Sequence, residues 1–220
     1  MQYNDLGGKP GSLTEQASRI LVDKILNEEL RPGDQLVETE LQKQLSISRS
    51  PLREAFRDLE KKGLVVIVPR KGTFVKTITK KGIFEHYPVL AALEGLAARE
   101  AFSKLTREDL DEMARLYEMM SRCADPRDIT AFEDHHDMFH LVFIDACGND
   151  LLINSIRDMR LQGTLYRYYY RHSENYLLES LTVHSEILDM FMNKRTDPDV
   201  LERNVRRHIE VFARRDGWNL

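Results

Sequence analysis

Two sets of side chains have the types and spacings for chemistry. Arg49, Arg53 and Arg57 recur every fourth residue, so on a helix they share one face, where guanidinium groups suit phosphate oxygens or guanine edges. His136 and His140, also four apart, share a face, and His184 and His208 lie on later stretches with helical apolar spacing. Three or four imidazoles converging inside a bundle suit zinc or a similar divalent ion. Spacing alone leaves both readings open. An arginine row can be a solvated face paired with Glu54, Asp58 or Glu60, and histidines at helical spacing often serve only hydrogen bonds.

The arginines need a helix to carry them. Ser48 to Glu60 reads as one, opened by a hydroxyl cap and a first-turn proline, with Leu52, Ala55, Phe56 and Leu59 facing inward. A shorter helix, Glu38 to Leu45, precedes it across Ser46-Ile47-Ser48, and Gly63 to Val75 follows as strand, turn and strand. A first helix, Leu13 to Leu30, starts at a Ser12/Glu15 capping box and is stopped by Arg31-Pro32-Gly33. Helix, turn, helix and basic hairpin outline a winged helix-turn-helix over residues 12–77. The N-terminal part of the second helix of such a motif enters the major groove, which makes Ser48, Arg49, Ser50, Arg53 and Arg57 the candidate DNA contacts.

Charge distribution agrees. The 220 residues carry a formal net charge of −4, which taken alone argues against a polyanionic partner. Between Thr39 and Lys80, however, ten Lys or Arg stand against four Asp or Glu, a local excess of +6 that leaves the remainder ten charges negative overall. Basic charge gathered in one module is the footprint of phosphate binding. With 42% hydrophobic and 31% charged residues the composition is that of a soluble globular protein. No apolar run reaches the roughly 20 residues that span a bilayer, and the polar start lacks a signal-peptide core, so the expected location is the cytoplasm, without membrane contact. Cys123 and Cys147 lie far apart and read as reduced thiols.

The histidines need a bundle. Residues 1–11 are a polar, Gly-rich flexible arm and 78–82 a Lys/Thr linker; from residue 83 to 220 strand signals vanish. Helices are expected at about Ile83–Ser103, Arg107–Arg122, Pro126–Cys147, Leu151–His172, Tyr176–Met192 and Pro198–Arg214, with Thr106, Asp125, Asn149, Ser173 and Asp197 as caps. The fold class is therefore mainly α: a winged helix-turn-helix followed by an all-α antiparallel bundle.

The run Leu30-Arg-Pro-Gly-Asp-Gln-Leu-Val-Glu38, then Leu41, Leu45, Ser48-Arg-Ser-Pro-Leu-Arg-Glu-Ala55, Leu59-Glu60, Gly63-Leu64 and Gly72, resembles the DNA-binding domain of the GntR family of bacterial transcription regulators. Ala92-Leu-Glu94 with Ala97-Ala98, Phe139-His140 followed by Gly148-Asn149, His184 with Ile187, and His208 resemble the FCD domain of the FadR subfamily. The resemblance implies wing contacts to DNA from Arg70, Lys71 and Gly72, a homodimer on a near-palindromic operator, and a metal that helps hold a small carboxylate effector. It places three metal ligands at His140, His184 and His208, and the ion as zinc, with nickel or manganese as alternatives. Three departures stand out. His136 occupies the position of the family's acidic ligand, with Asp137 next to it, so either supplies the fourth ligand. Leu90 replaces an arginine that grips the effector, which passes that role to Arg99, Arg157, Arg160 or Arg167 unless these are surface cations. Thr39 stands where some relatives carry a longer basic contact.

The leading expectation is a sequence-specific DNA-binding regulator, and not an enzyme, whose bundle binds a small organic acid. A hydrolase using the three-histidine site, with Glu133, Asp134 or Glu186 as base, lacks any catalytic motif and leaves the DNA module without purpose. An architectural DNA binder with an empty bundle is the third reading. Tyr166, Tyr168, Tyr169 and Tyr170 read as core and interface.

Overall fold

A computed structural model describes residues 11–124, 129–170, 176–193 and 195–214. The chain divides into two compact units, one built on the residues up to Thr79 with the Leu161–Arg167 segment, the other on Lys80–Arg160 and the residues from Tyr168 on.

In the first unit α1 spans Leu13–Leu26 and opens on a full capping box: the Glu15 amide donates to Ser12 Oγ at 3.2 Å and the Ser12 amide to Glu15 Oε2 at 2.7 Å. It ends four residues before the expected Leu30. Glu28 turns to φ 60° and the Leu30 amide folds back to the Lys24 carbonyl at 3.0 Å, so the chain reverses before the proline is reached. α2 is Glu38–Leu45 and α3 is Arg49–Lys61, joined through Ser46 at φ 54°, the left-handed residue that sharpens the turn. Leu52, Ala55, Phe56 and Leu59 of α3 are all within 1% of full burial. Each large apolar side chain among them contributes about 1.5–3 kcal/mol by leaving water. Ser48 sits at the N-cap with extended backbone, but its side chain makes no capping bond, contrary to the expected hydroxyl cap.

The wing is a three-stranded antiparallel sheet in the order β1-β3-β2, with β2 Val65–Val68 and β3 Gly72–Val75 in register Val65↔Val75 through Val68↔Gly72. The third strand, β1 at Gln35–Leu36, pairs with Phe74 and Thr73. Sequence reading gave it no strand, because two residues show no period.

The helices after Thr79 are α4 Lys80–Ala101, α5 Arg107–Arg122, α6 Ile129–Ala146, α7 Asp150–Tyr170, whose Leu161–Arg167 stretch is counted with the first unit, α8 Tyr176–Met192 and α9 Pro198–Arg214. α4 starts three residues earlier than expected, inside the anticipated linker, and carries Pro88 within it. Thr106, Asn149 and Asp197 cap as anticipated, accepting from the amides of Asp109 (3.1 Å), Leu152 (3.1 Å) and Asp199 (2.9 Å). Asp125 and Ser173 lie outside the described residues. α4 packs along α9, and α5 along α6 and α8. Gly95 permits the first of these crossings: a Cβ there would stand 3.0 Å from the Glu202 carbonyl oxygen of α9 and drive into the Arg206 side chain. Phe132, Phe139, Phe143, Phe191 and Met113 fill the core. Among the described residues no helix is long and apolar enough to cross a membrane.

Candidate functional site

The reading face of the first unit is built by α2 and α3. Inward packing of Leu52, Phe56 and Leu59 turns the opposite face of α3 outward, and Ser48, Arg49, Ser50, Arg53 and Arg57 are all exposed. The carboxylates expected to neutralise these arginines are engaged elsewhere. Glu54 accepts from Thr14 Oγ1 at 2.9 Å, Glu60 from the Ile67 amide at 2.8 Å, and Asp58 from Lys62 at 2.8 Å and from Ser18. The acid that does meet them is Glu38 of α2, which sequence reading missed: its Oε1 lies 2.8 Å from Arg53 Nε and its Oε2 3.5 Å from Arg49 Nε. Arg57 has no protein partner among the described residues. On the wing, Arg70 and Lys71 are exposed at the β2–β3 turn, where the Lys71 amide bonds the Val68 carbonyl at 3.0 Å and Arg70 takes φ 63°. Gly72, half-buried, has φ 123°.

In the second unit His136 and His140 of α6, His184 of α8 and His208 of α9 converge, and one ring nitrogen from each lies within 4.8 Å of those of the other three. His140, His184 and His208 are buried, at 1%, 0% and 6% exposure. The partners of two rings fix their protonation. His140 Nδ1 stands 2.7 Å from Glu94 Oε2, which also accepts from Arg160 Nη2 at 2.9 Å, so this acceptor oxygen draws the His140 proton to Nδ1. His184 Nδ1 faces the Ser180 carbonyl oxygen at 2.6 Å and donates to it. Both Nε2 atoms are therefore lone-pair acceptors, and they face each other at 3.0 Å. Burial, with the Arg160 charge and the neighbouring rings, holds the pKa of His140 well below 6.5. Burial and the neighbouring His208 and His136 do the same for His184, so a proton is a poor mediator between them. Four imidazole nitrogens converging, two of the rings with Nδ1 anchored to oxygen, fit the donor set of a zinc-type ion with its supporting bonds.

The helix sets His136 and Asp137 in different surroundings. His136, one turn before His140, joins the group; Asp137 is rotated aside and takes Arg160 Nη1 at 2.9 Å, with His136 Nδ1 at 3.4 Å. Of the arginines nominated for an effector, Arg99 pairs with Glu202 at 2.8 Å and Arg157 holds both oxygens of Asp145 at 2.8 and 2.9 Å, each on the surface. Arg160, 11% exposed, alone of the three lies beside the histidines, between Glu94 and Asp137. The Arg167 side chain, like those of Tyr168, Tyr169 and Tyr170, lies outside the described residues, while Tyr166 is buried.

A winged helix-turn-helix coupled to a helical bundle with a central polar cluster is the build of a DNA-binding transcription regulator. Residues 13–75 match the description "Bacterial regulatory proteins, gntR family" and residues 85–211 the FCD domain. The chain is 26% identical over 203 residues to the HTH-type transcriptional repressor RspR of Escherichia coli K12, covering 91% of this chain and 87% of that one. It is also 26% identical over 201 residues to a probable D-xylose utilization operon transcriptional repressor of Paenarthrobacter nicotinovorans, with the same coverage. The solved structure of E. coli McbR/YncC shares the fold, with a TM-score of 0.77 at 21% identity over 93% of this chain and 98% of that one. The chain belongs to the GntR family of bacterial transcription regulators, in the group that carries an FCD domain.

Proposed function

We propose that this regulator binds an operator through Ser48, Arg49, Ser50, Arg53 and Arg57 of α3 and Arg70, Lys71 and Gly72 of the wing, and that a small organic acid bound at a metal in the bundle controls its DNA affinity. The observation that carries the bundle half is the pair of acceptor nitrogens on His140 and His184 facing each other at 3.0 Å with both Nδ1 protons committed. A cation between them removes the repulsion. His136, His140, His184 and His208 would hold it, and an all-imidazole set suits zinc or nickel better than manganese, which favours oxygen ligands. When bound, the ion supplies positive charge and a Lewis-acid position for a carboxylate oxygen.

Charge supports the effector class. Around the cluster Arg160 contributes one positive charge and Glu94 with Asp137 two negative ones, so the ion-free site is negative by one and a divalent ion turns it positive by one. Such a site welcomes a single carboxylate only when metal is present. Effector and DNA then compete or cooperate only through the conformations each prefers, and the coupling is reciprocal.

A homodimer fits a two-fold operator, since one winged unit covers a half-site. On α4, Phe84 at 52% and Val89 at 51% exposure, beside exposed Pro88, offer an apolar stripe for a second copy. The reading is tested by titrating zinc, then acetate, citrate and other simple carboxylates into chelator-treated protein. Metal uptake, a melting shift with acid only after metal, and a change in duplex affinity are the expected results.

A further inference from the structure

The geometry points to Glu38 as a positioning residue for DNA reading: its single carboxylate holds the Nε edges of Arg49 and Arg53 and so presents their Nη ends as a pre-set pair for base edges. The inference rests on α3 being the reading helix, as proposed above.

Glu38 is the first residue of α2, where the positive end of the helix favours a carboxylate. It is less exposed than either arginine, 28% against 59% for Arg49 and 57% for Arg53. Its two oxygens divide between them, Oε1 accepting a hydrogen bond from Arg53 Nε at 2.8 Å and Oε2 in ion-pair contact with Arg49 Nε at 3.5 Å. Among the described residues the hydrogen bond these two arginines make runs from Arg53 Nε, and none runs from an Nη group of either.

This division separates two kinds of DNA contact. Guanine O6 and N7 accept two parallel bonds from one guanidinium, and the Nη1/Nη2 end can supply them while Nε stays on Glu38. A phosphate can also take two bonds from the fork, but it does so on any sequence and is drawn mainly by net charge, which Glu38 lowers from two positive charges to one across the trio. Glu38 thus weakens gripping of any backbone more than reading of the right bases. The conformational restriction of two long side chains is also met before DNA arrives.

The test uses the full chain, the duplex that the wild type enriches from a randomised pool, and a scrambled duplex of equal composition, each titrated over a range of salt. Glu38→Gln is expected to tighten the scrambled duplex, steepen its salt slope by about one unit and cut the selected-to-scrambled ratio by about tenfold. Glu40→Gln removes the same charge from the same turn of α2 at an exposed residue that touches neither arginine, and is expected to move both duplexes by one factor. Glu38→Asp keeps the charge but not the reach, and is expected to lose discrimination without gaining scrambled affinity. Glu38→Gln shifting both duplexes equally, as Glu40→Gln does, overturns this inference alone. A wild type that enriches no sequence removes the reading helix and this inference together.

Discussion

The Nε2 atoms of His140 and His184 stand 3.0 Å apart, and neither has a proton to offer the other. The His140 proton is drawn to Glu94 and the His184 proton to the Ser180 carbonyl, so the supporting bonds that orient the rings also leave two lone pairs facing each other, as the proposed cation site requires.

His184→Ala is accordingly expected to lower bound metal to a small fraction of one equivalent and to abolish the melting shift on adding zinc. In the wild type, chelation should cost about 3 kcal/mol of stability if the ion is present at a hundredfold excess over its dissociation constant. Elemental analysis beside thermal melting checks both, and unchanged metal stoichiometry in the variant takes His184 out of the site.

Arg53→Ala removes an exposed side chain whose protein partner is Glu38, from a helix held by Leu52, Phe56 and Leu59 on its other face. Its stability should change by less than about 0.5 kcal/mol, the range of surface substitutions. Loss of a base-reading arginine should weaken the selected duplex by about 1–3 kcal/mol. Phe56→Ala is the contrast, costing about 3–5 kcal/mol of stability through the cavity it leaves. Melting and binding measured on the same preparations separate the two.

How much of this was legible follows from range. α2, α5, α8 and α9 fall where apolar spacing placed them, since Leu110, Met113, Leu116 and Met120, for example, recur at helical intervals after a Thr106 cap. β1 was not, because only its partners Phe74 and Thr73, far along the chain, make Gln35 and Leu36 a strand. The same limit hid Glu38: three acids on α3 itself lie nearer in sequence to Arg53, and only the folded turn brings α2 over them. His136 over Asp137 was open in sequence because residues three and four before His140 are both near its face. Only the fold shows His136 standing with the other three histidines while Asp137 pairs with Arg160. Arg99 and Arg157 could not be told from Arg160 without seeing Glu202 and Asp145 beside them.

Asp58 ties α3 to α1 through Ser18 and to Lys62, and although desolvation pulls its pKa up, the Lys62 and Ser18 bonds outweigh that and hold it below 3.8. A carboxyl whose pKa is lower folded than unfolded contributes stability that is complete above its unfolded value and disappears as pH falls through the folded one. The urea midpoint of the wild type should therefore exceed that of Asp58→Asn at about pH 6, with the gap closing as pH drops below about 4. A gap independent of pH would mean that the carboxylate charge contributes nothing.

Arg70 offers the sharpest separation of folding from function. It occupies a turn position at φ 63°, a left-handed conformation that costs an L-residue with a Cβ about 1–2 kcal/mol and that glycine adopts freely. Arg70→Gly should thus leave the wing at least as stable, with a gain of up to about 1 kcal/mol once the larger chain entropy of glycine is set against the relieved strain. If the side chain grips a phosphate, the same change weakens selected and scrambled duplexes alike and flattens the salt slope by about one unit. Arg70→Lys keeps the strained backbone and the charge, and is expected to retain most of the affinity. An Arg70→Gly protein that melts higher and binds both duplexes as the wild type does would leave the strain without a purpose in DNA binding and confine recognition to α3.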